Sequence, residues 1–167
     1  EYSVSAVNDK GVESFISEPV AFYDVNKMQV VEMETSMPKS SLPFVNYSGA
    51  GFIEISTQIN PSITINVNVD ADGMYLIDFR YSNGSGPWNT DNKCAIRSLY
   101  NGASYVGTCV FPQRGTDEWS DWGWSNSYKV ALKKGSNQLR LVLEEWNTNM
   151  NVEVNRAMLD YMRVIKF

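Results

Sequence analysis

Two glutamates, Glu32 and Glu34, stand two residues apart in Val31-Glu32-Met33-Glu34. On a strand, that spacing projects both carboxylates from one face. Like charges so close repel unless a cation or a basic group sits between them; a solvated strand face is the simpler reading of the residues alone. Asp70-Ala71-Asp72-Gly73 opens like an EF-hand loop but lacks the third acidic ligand and the closing Glu, so it reads as a turn. Further on, Thr116-Asp117-Glu118-Trp119-Ser120-Asp121-Trp122-Gly123-Trp124-Ser125-Asn126 places three Trp within six positions among Asp, Ser and Asn. Rings set among polar groups suit a binding surface, although Trp122 and Trp124 would share a face, and so a core, if the segment is extended. The chain has no His. That excludes Ser-His-Asp and Cys-His nucleophile systems and His-ligated zinc.

The elements that must position these groups are strands. Ile63, Ile65, Val67 and Val69 alternate with Thr64, Asn66 and Asn68. Tyr75, Ile77, Phe79 and Tyr81 share a face, as do Leu139, Leu141 and Leu143. Turn residues separate the runs: Asp72-Gly73, Asn83-Gly84-Ser85-Gly86, Asn101-Gly102 and Lys133 to Asn137. No dozen-residue window carries an amphipathic helix. The spacing predicts an all-β protein, an antiparallel sandwich. The chain's 167 residues, 43% hydrophobic and 13% aromatic, suffice for one domain with a sizeable core. The net charge of −5 carries no basic cluster to offset it, which disfavours nucleic acid and anionic membrane surfaces. No apolar stretch approaches the ~20 residues of a membrane span. No signal-peptide pattern opens the chain, which is expected to be a piece of a longer polypeptide.

If Asn101-Gly102 forms a two-residue primed turn, Cys94 and Cys109 lie directly opposite one another, and a disulfide is possible. Two buried thiols are the alternative. The first residues alternate through Tyr2, Val4 and Ala6 to a turn at Asn8-Asp9-Lys10-Gly11, with a second run from Val12 to Glu18-Pro19. Tyr2 to Val20 resembles the last hairpin of a fibronectin type III domain. The expected division is therefore 1–24 as that hairpin and linker, and 25–167 as the sandwich.

From Met28 onward the order of features resembles the carbohydrate-binding modules of families 35 and 6, which are galactose-binding-like jelly rolls. The resemblance rests on Val31-Glu32-Met33-Glu34, Tyr47-Ser48-Gly49-Ala50-Gly51-Phe52-Ile53, Asp72-Gly73-Met74-Tyr75-Leu76 with Phe79-Arg80-Tyr81, and Leu132 to Leu141 followed by Leu159-Asp160-Tyr161-Met162-Arg163-Val164. It implies a structural calcium held by Glu32, Glu34 and Asp160, since calcium accepts several oxygen ligands in loose geometry. It also implies sugar binding. A pyranose offers an apolar face to an aromatic ring and a rim of hydroxyls to polar groups. Trp119 and Trp122 match the family's Trp-x-x-Trp spacing, and Trp124 is extra. Tyr47 is the match for the ring of the Gly-rich loop. Trp88, in a Gly/Pro loop, is a further candidate, and Trp146 another. Where many members carry a ligand-binding Asn two residues before the closing Asp, this chain has Met158, leaving Asn155 or Arg156 as substitutes.

The resemblance implies a non-catalytic module of a secreted, periplasmic or cell-surface glycoside hydrolase, whose partners are an oligo- or polysaccharide and the enzyme's other domains. A structural spacer or protein-interaction module is the alternative. Glycosidase chemistry needs two carboxylates about 5–9 Å apart. Asp117/Glu118, Asp121 and Glu144/Glu145 are candidates, but adjacent residues on a strand point to opposite faces, so no catalytic residue is assigned.

Overall fold

The computed structural model describes residues 4–13, 23–87, 93–147 and 155–167. Strict alternation makes Ser62–Val69 (β3) a strand with one wet and one buried face. It pairs antiparallel with Gly135–Val142 (β9), placing Ile63 beside Leu141 and Ile65 beside Leu139. Beyond β9 lie Ala95–Asn101 (β5) and Ser104–Phe111 (β6), completing a four-stranded sheet in the order β3-β9-β5-β6.

The second sheet is built around the closing strand, Ala157–Lys166 (β10). Met28–Glu32 (β1) and Ile53–Ile55 (β2) pair with successive parts of one edge, and Gly73–Ser82 (β4) with the other. The short Gly123–Trp124 (β7) and Tyr128–Leu132 (β8) extend β4. All pairings are antiparallel. The core lies between the sheets: Ile63, Ile65, Leu139 and Leu141 meet Ile77, Phe79, Leu159 and Met162, all at most 1% exposed. Burying each such side chain contributes about 1.5–3 kcal/mol. The Tyr75-Ile77-Phe79-Tyr81 face is entirely core, as its alternation predicts, while Leu143 is only half-buried. The result is the all-β jelly-roll sandwich expected.

Three local expectations change. The strand carrying Glu32 ends there, and Glu34 sits in a 3₁₀ turn, Met33–Thr35. The β5–β6 hairpin turns at Gly102-Ala103, with Asn101 opposite Ser104. Gly102 has φ +59°, a left-handed backbone suited to the first central position of a primed turn. A further register shift follows between Leu99 and Tyr100, so Cys109 faces Arg97 and not Cys94. Both cysteines remain thiols, and the proposed disulfide is not formed. Cys109 is fully buried, which pushes its thiol pKa well above the ordinary range. Asp70 to Gly73 is the β3–β4 turn, where Asp72 accepts from the Lys134 amide at 2.7 Å and Lys133 Nζ at 3.1 Å.

At the N-terminus, Val7 and Glu13 form an antiparallel bridge across a turn closed by the Gly11 amide on Asn8 O at 3.0 Å. No helix among the described residues is long and apolar enough to cross a membrane.

Candidate functional site

The loop between β1 and β2 carries Tyr47 and is fastened from below by acids. Asn46 and Gly49 hold positive φ, +66° and +58°, which folds 46–50 back over the end of β1. A Cβ on Gly49 would stand 2.6 Å from Glu34 Oε1, so the close approach requires glycine. Ser48 Oγ donates to Glu32 Oε1 at 2.9 Å, the Ala50 amide to Glu34 Oε1 at 2.8 Å, and the Ser48 amide to Asp160 Oδ1 at 2.9 Å. The structure thus brings Glu32, Glu34 and Asp160 to one loop.

A bulge aims Asp160. Before it Leu159 pairs with Tyr81, after it Met162 pairs with Phe79, so Asp160 and Tyr161 together oppose Arg80. Arg80 answers with an ion pair to the buried Asp160 carboxylate and donates to Asn46 O at 3.1 Å. Glu32 Oε2 and Glu34 Oε2 are buried without a hydrogen-bond partner. Burial raises the Glu32 pKa; the Ser48 bond opposes this, and Glu34 and Asp160 add to it. Burial also raises Asp160, against the pull of Ser48 and Arg80.

Two orphaned carboxylate oxygens beside a glycine-tight loop fit a hard cation, with backbone carbonyls left to complete its shell. Among the described residues no three acidic, imidazole or thiol side chains form a closed metal cluster. Asp160 orients the loop through the Ser48 amide and Arg80.

The aromatic residues form a ladder. Arg156 lies 4.7 Å from the Trp119 centroid, and Phe44 stacks on Trp119 at 5.6 Å and 11°. Phe44 continues to Phe52 at 5.9 Å, Phe52 to Trp122 at 5.5 Å, and Trp122 to Arg80 at 5.5 Å. Arg80 reaches Tyr161 at 5.7 Å, Tyr161 meets Trp124 edge-on at 5.6 Å, and Arg163 covers Trp124 at 3.4 Å. Trp122 also donates to Val45 O at 2.8 Å, and Arg156 pairs with Glu54 at 2.6 Å. Each of the three indoles thus meets one ring and one guanidinium from within the chain, and all three stay partly exposed. Tyr47, tilted on Phe52 at 5.3 Å and 40% exposed, is the most exposed ring of this rim.

The remaining expected residues lie elsewhere. Asn155 is fully buried: its Oδ1 accepts from the Ile96 amide at 2.9 Å and Arg97 at 2.6 Å, and its Nδ2 donates to Asn147 O at 2.9 Å. It has no surface to offer a ligand. Met158 is buried in β10 between Glu54 and Ser82. Trp88 lies outside the described residues. Of the five carboxylates considered for catalysis, three are tied locally, Glu118 to the Ser120 amide at 2.6 Å, Asp121 to Arg114 at 3.5 Å and Glu144 to Tyr100 Oη at 2.9 Å. Sequence reasoning missed Ser48, Arg80 and Phe44. Arg80 was visible in the Phe79-Arg80-Tyr81 strand, but only the bulge opposite it reveals its role.

No protein-family model matches this sequence. The chain is 26% identical over 102 residues to a cycloisomaltooligosaccharide glucanotransferase of Niallia circulans, covering 61% of this chain and 10% of that protein. It is 30% identical over 113 residues to a 1,6-alpha-glucosyltransferase of Sporosarcina globispora, covering 68% and 8%. The chain therefore spans a tenth or less of these relatives' length. Among solved structures, a cycloisomaltooligosaccharide glucanotransferase of Paenibacillus sp., complexed with cycloisomaltoheptaose, superposes with TM-score 0.64 at 22% identity over 84% of this chain and 18% of that one. A family 35 carbohydrate-binding module of Clostridium thermocellum superposes with TM-score 0.61 at 18% identity, over 84% of this chain and 98% of the module. A family 35 module from an environmental isolate gives TM-score 0.59 at 22% identity, over 81% and 91%. This chain has the galactose-binding-like fold of the family 35 carbohydrate-binding modules.

Proposed function

We propose that the chain is a non-catalytic carbohydrate-binding module of a secreted or cell-surface enzyme that acts on α-glucans, and that it takes saccharide at the loop rim where Tyr47 stands. The observation that supports this reading is the Tyr47 loop itself, an exposed ring on backbone held rigid by Glu32, Glu34, Asp160 and Arg80. A preorganised ring loses little freedom on binding, so its contact with a sugar face is retained as affinity. Trp122 and Trp119 back the rim as a rigid wall, and Trp88 is a further candidate contact.

Calcium held by Glu32, Glu34 and Asp160 would neutralise the mutual repulsion of these acids and lock 46–50 in place. Weak binding to a polymer would keep the catalytic domain near substrate and raise its effective concentration. The isomalto-oligosaccharide relatives make α-1,6-linked glucan the first ligand to try. Residues 1–24 are read as the closing hairpin of a preceding fibronectin type III-like domain; the exposed Val4, Val7 and Val12 suit an element whose partner lies elsewhere.

Calorimetric titration with isomaltoheptaose tests the reading. Binding is expected for the unmodified chain, with a loss of about fivefold or more for Tyr47→Ala. A folded chain that binds neither isomaltoheptaose nor any member of a glycan array would overturn it. The engagement of Trp119, Trp122 and Trp124 within the ladder favours a second reading, a spacer with no sugar affinity, which that negative result would support.

A further inference from the structure

The most exposed tryptophan among the described residues is not at the loop rim. Trp146 is 64% exposed and lies on the outer face of the four-stranded sheet. Its Nε1 approaches Ser98 Oγ at 3.2 Å, and Ser98 shares that face of β5 with Tyr100. The same short turn brings Glu144 to accept from Tyr100 Oη at 2.9 Å. Tyr100 stands opposite Tyr105, itself 55% exposed, with the two rings edge-to-face at 5.7 Å.

Strand register extends this cluster into a row. Thr64 on β3 is opposite Arg140 on β9, Arg140 is opposite Tyr100 on β5, and Tyr100 is opposite Tyr105 on β6. Arg140 lies 5.2 Å from the Tyr100 centroid. Three inter-strand steps of about 4.8 Å give a row about 14 Å long, the reach of a short oligosaccharide rather than one sugar. Beside it the amides of Asn66 and Gln138 face each other, both exposed.

We propose that this outer face is a second saccharide-binding platform, separate from the Tyr47 rim, that takes an extended neutral glycan. The proposal rests on the reading of the chain as a carbohydrate-binding module. The composition of the face selects the occupant. Trp146 and Tyr105 offer apolar ring surface to pyranose C–H faces, and the hydroxyl, amide and guanidinium groups between them suit sugar hydroxyls. Arg140 and Glu144 cancel in charge, so nothing there favours an anionic glycan or a charged peptide. The rings are also held in advance: Trp146 by Ser98, Tyr100 by Glu144, and Tyr105 by a 2.7 Å Oη–Thr108 Oγ1 hydrogen bond. Two such sites on one module would engage neighbouring segments of a polymer and add avidity.

Affinity electrophoresis in dextran gels compares the unmodified chain, Tyr47→Ala and the double variant Trp146→Ala/Tyr105→Ala. In parallel, the Trp146 indole ¹H–¹⁵N resonance is followed during isomaltoheptaose titration. The double variant is expected to lose about fivefold or more of dextran retardation. The Trp146 signal is expected to move on titration, and to move equally in Tyr47→Ala. If the unmodified chain is retarded, the double variant is retarded equally and the Trp146 signal stays fixed, the platform is overturned and the rim reading stands. If none of the chains binds dextran or isomaltoheptaose, both fall.

Discussion

Glu32 is the residue at which burial and charge conflict. Its Oε2 has no partner, Glu34 and Asp160 stand nearby, and burial raises its pKa above the ordinary carboxylate value. A carboxyl whose pKa is raised by folding contributes stability at low pH and loses it as pH rises through the folded value. The metal-free chain is therefore penalised at neutral pH, where Glu32 must ionise. A cation relieves that penalty, so calcium is expected to raise the melting temperature at pH 7 and to do so progressively less as pH falls into the carboxylate range. At calcium a hundredfold over its Kd, the rise should be about 5–10 °C. Glu32→Gln should leave the chelator-treated chain as stable or more so and abolish the calcium response. Differential scanning calorimetry with calcium and with EGTA reads both, and a melting temperature indifferent to chelator would remove the ion from the account.

At the scale of elements, β10 does the positioning. Its bulge spends one extra residue to turn Asp160 toward Ser48 and Arg80, while the regular stretch beyond sets Arg163 against Asp78. The Arg163–Asp78 pair is two-pronged, at 2.8 and 2.5 Å, and nearly buried; Arg163 also covers Trp124 at 3.4 Å. Arg163→Met leaves an uncompensated carboxylate on β4, and a loss of about 3–5 kcal/mol is expected in chemical denaturation. The β5–β6 hairpin makes a different prediction. With its turn at Gly102-Ala103 and the shift at Tyr100, Cys109 points into the core opposite Arg97. Without reductant, both thiols should react with Ellman's reagent after unfolding, and Cys109 should stay unreactive in the native chain. One disulfide per molecule would contradict the register.

Across the whole molecule, the two sheets carry different surfaces. The six-stranded sheet and its loops bear the ladder from Arg156 to Arg163, in which three arginines bracket a run of four rings and a run of two. The four-stranded sheet leaves Tyr105 and Trp146 uncovered. The acidic pair lies beneath the Tyr47 loop, in the layer opposite the Trp146 platform. Chelation is thus expected to weaken isomaltoheptaose binding at Tyr47 while the Trp146 indole response persists, since the platform is built on β5, β6, β9 and the turn carrying Trp146. Loss of both responses on chelation, in a chain that remains folded, would show that the ion holds more than one loop.

The period-2 alternation of Ile63 to Val69 and Tyr75 to Tyr81, with turn residues between the runs, was enough to specify an all-β sandwich, because a strand's side-chain period fixes which face is buried. The ordered resemblance likewise singled out Glu32, Glu34, Asp160 and Tyr47, four residues that the structure assembles around one loop. What the sequence left open were quantities set by distant partners. Hairpin register depended on where the chain turned and on one shift. Asn155 was consumed by Arg97 and the Ile96 amide, and Trp119 by Phe44 and Arg156, contacts between residues far apart in sequence. A residue's type states what it can bond to, but whether that capacity is already used within the chain is decided only when the sheets pack.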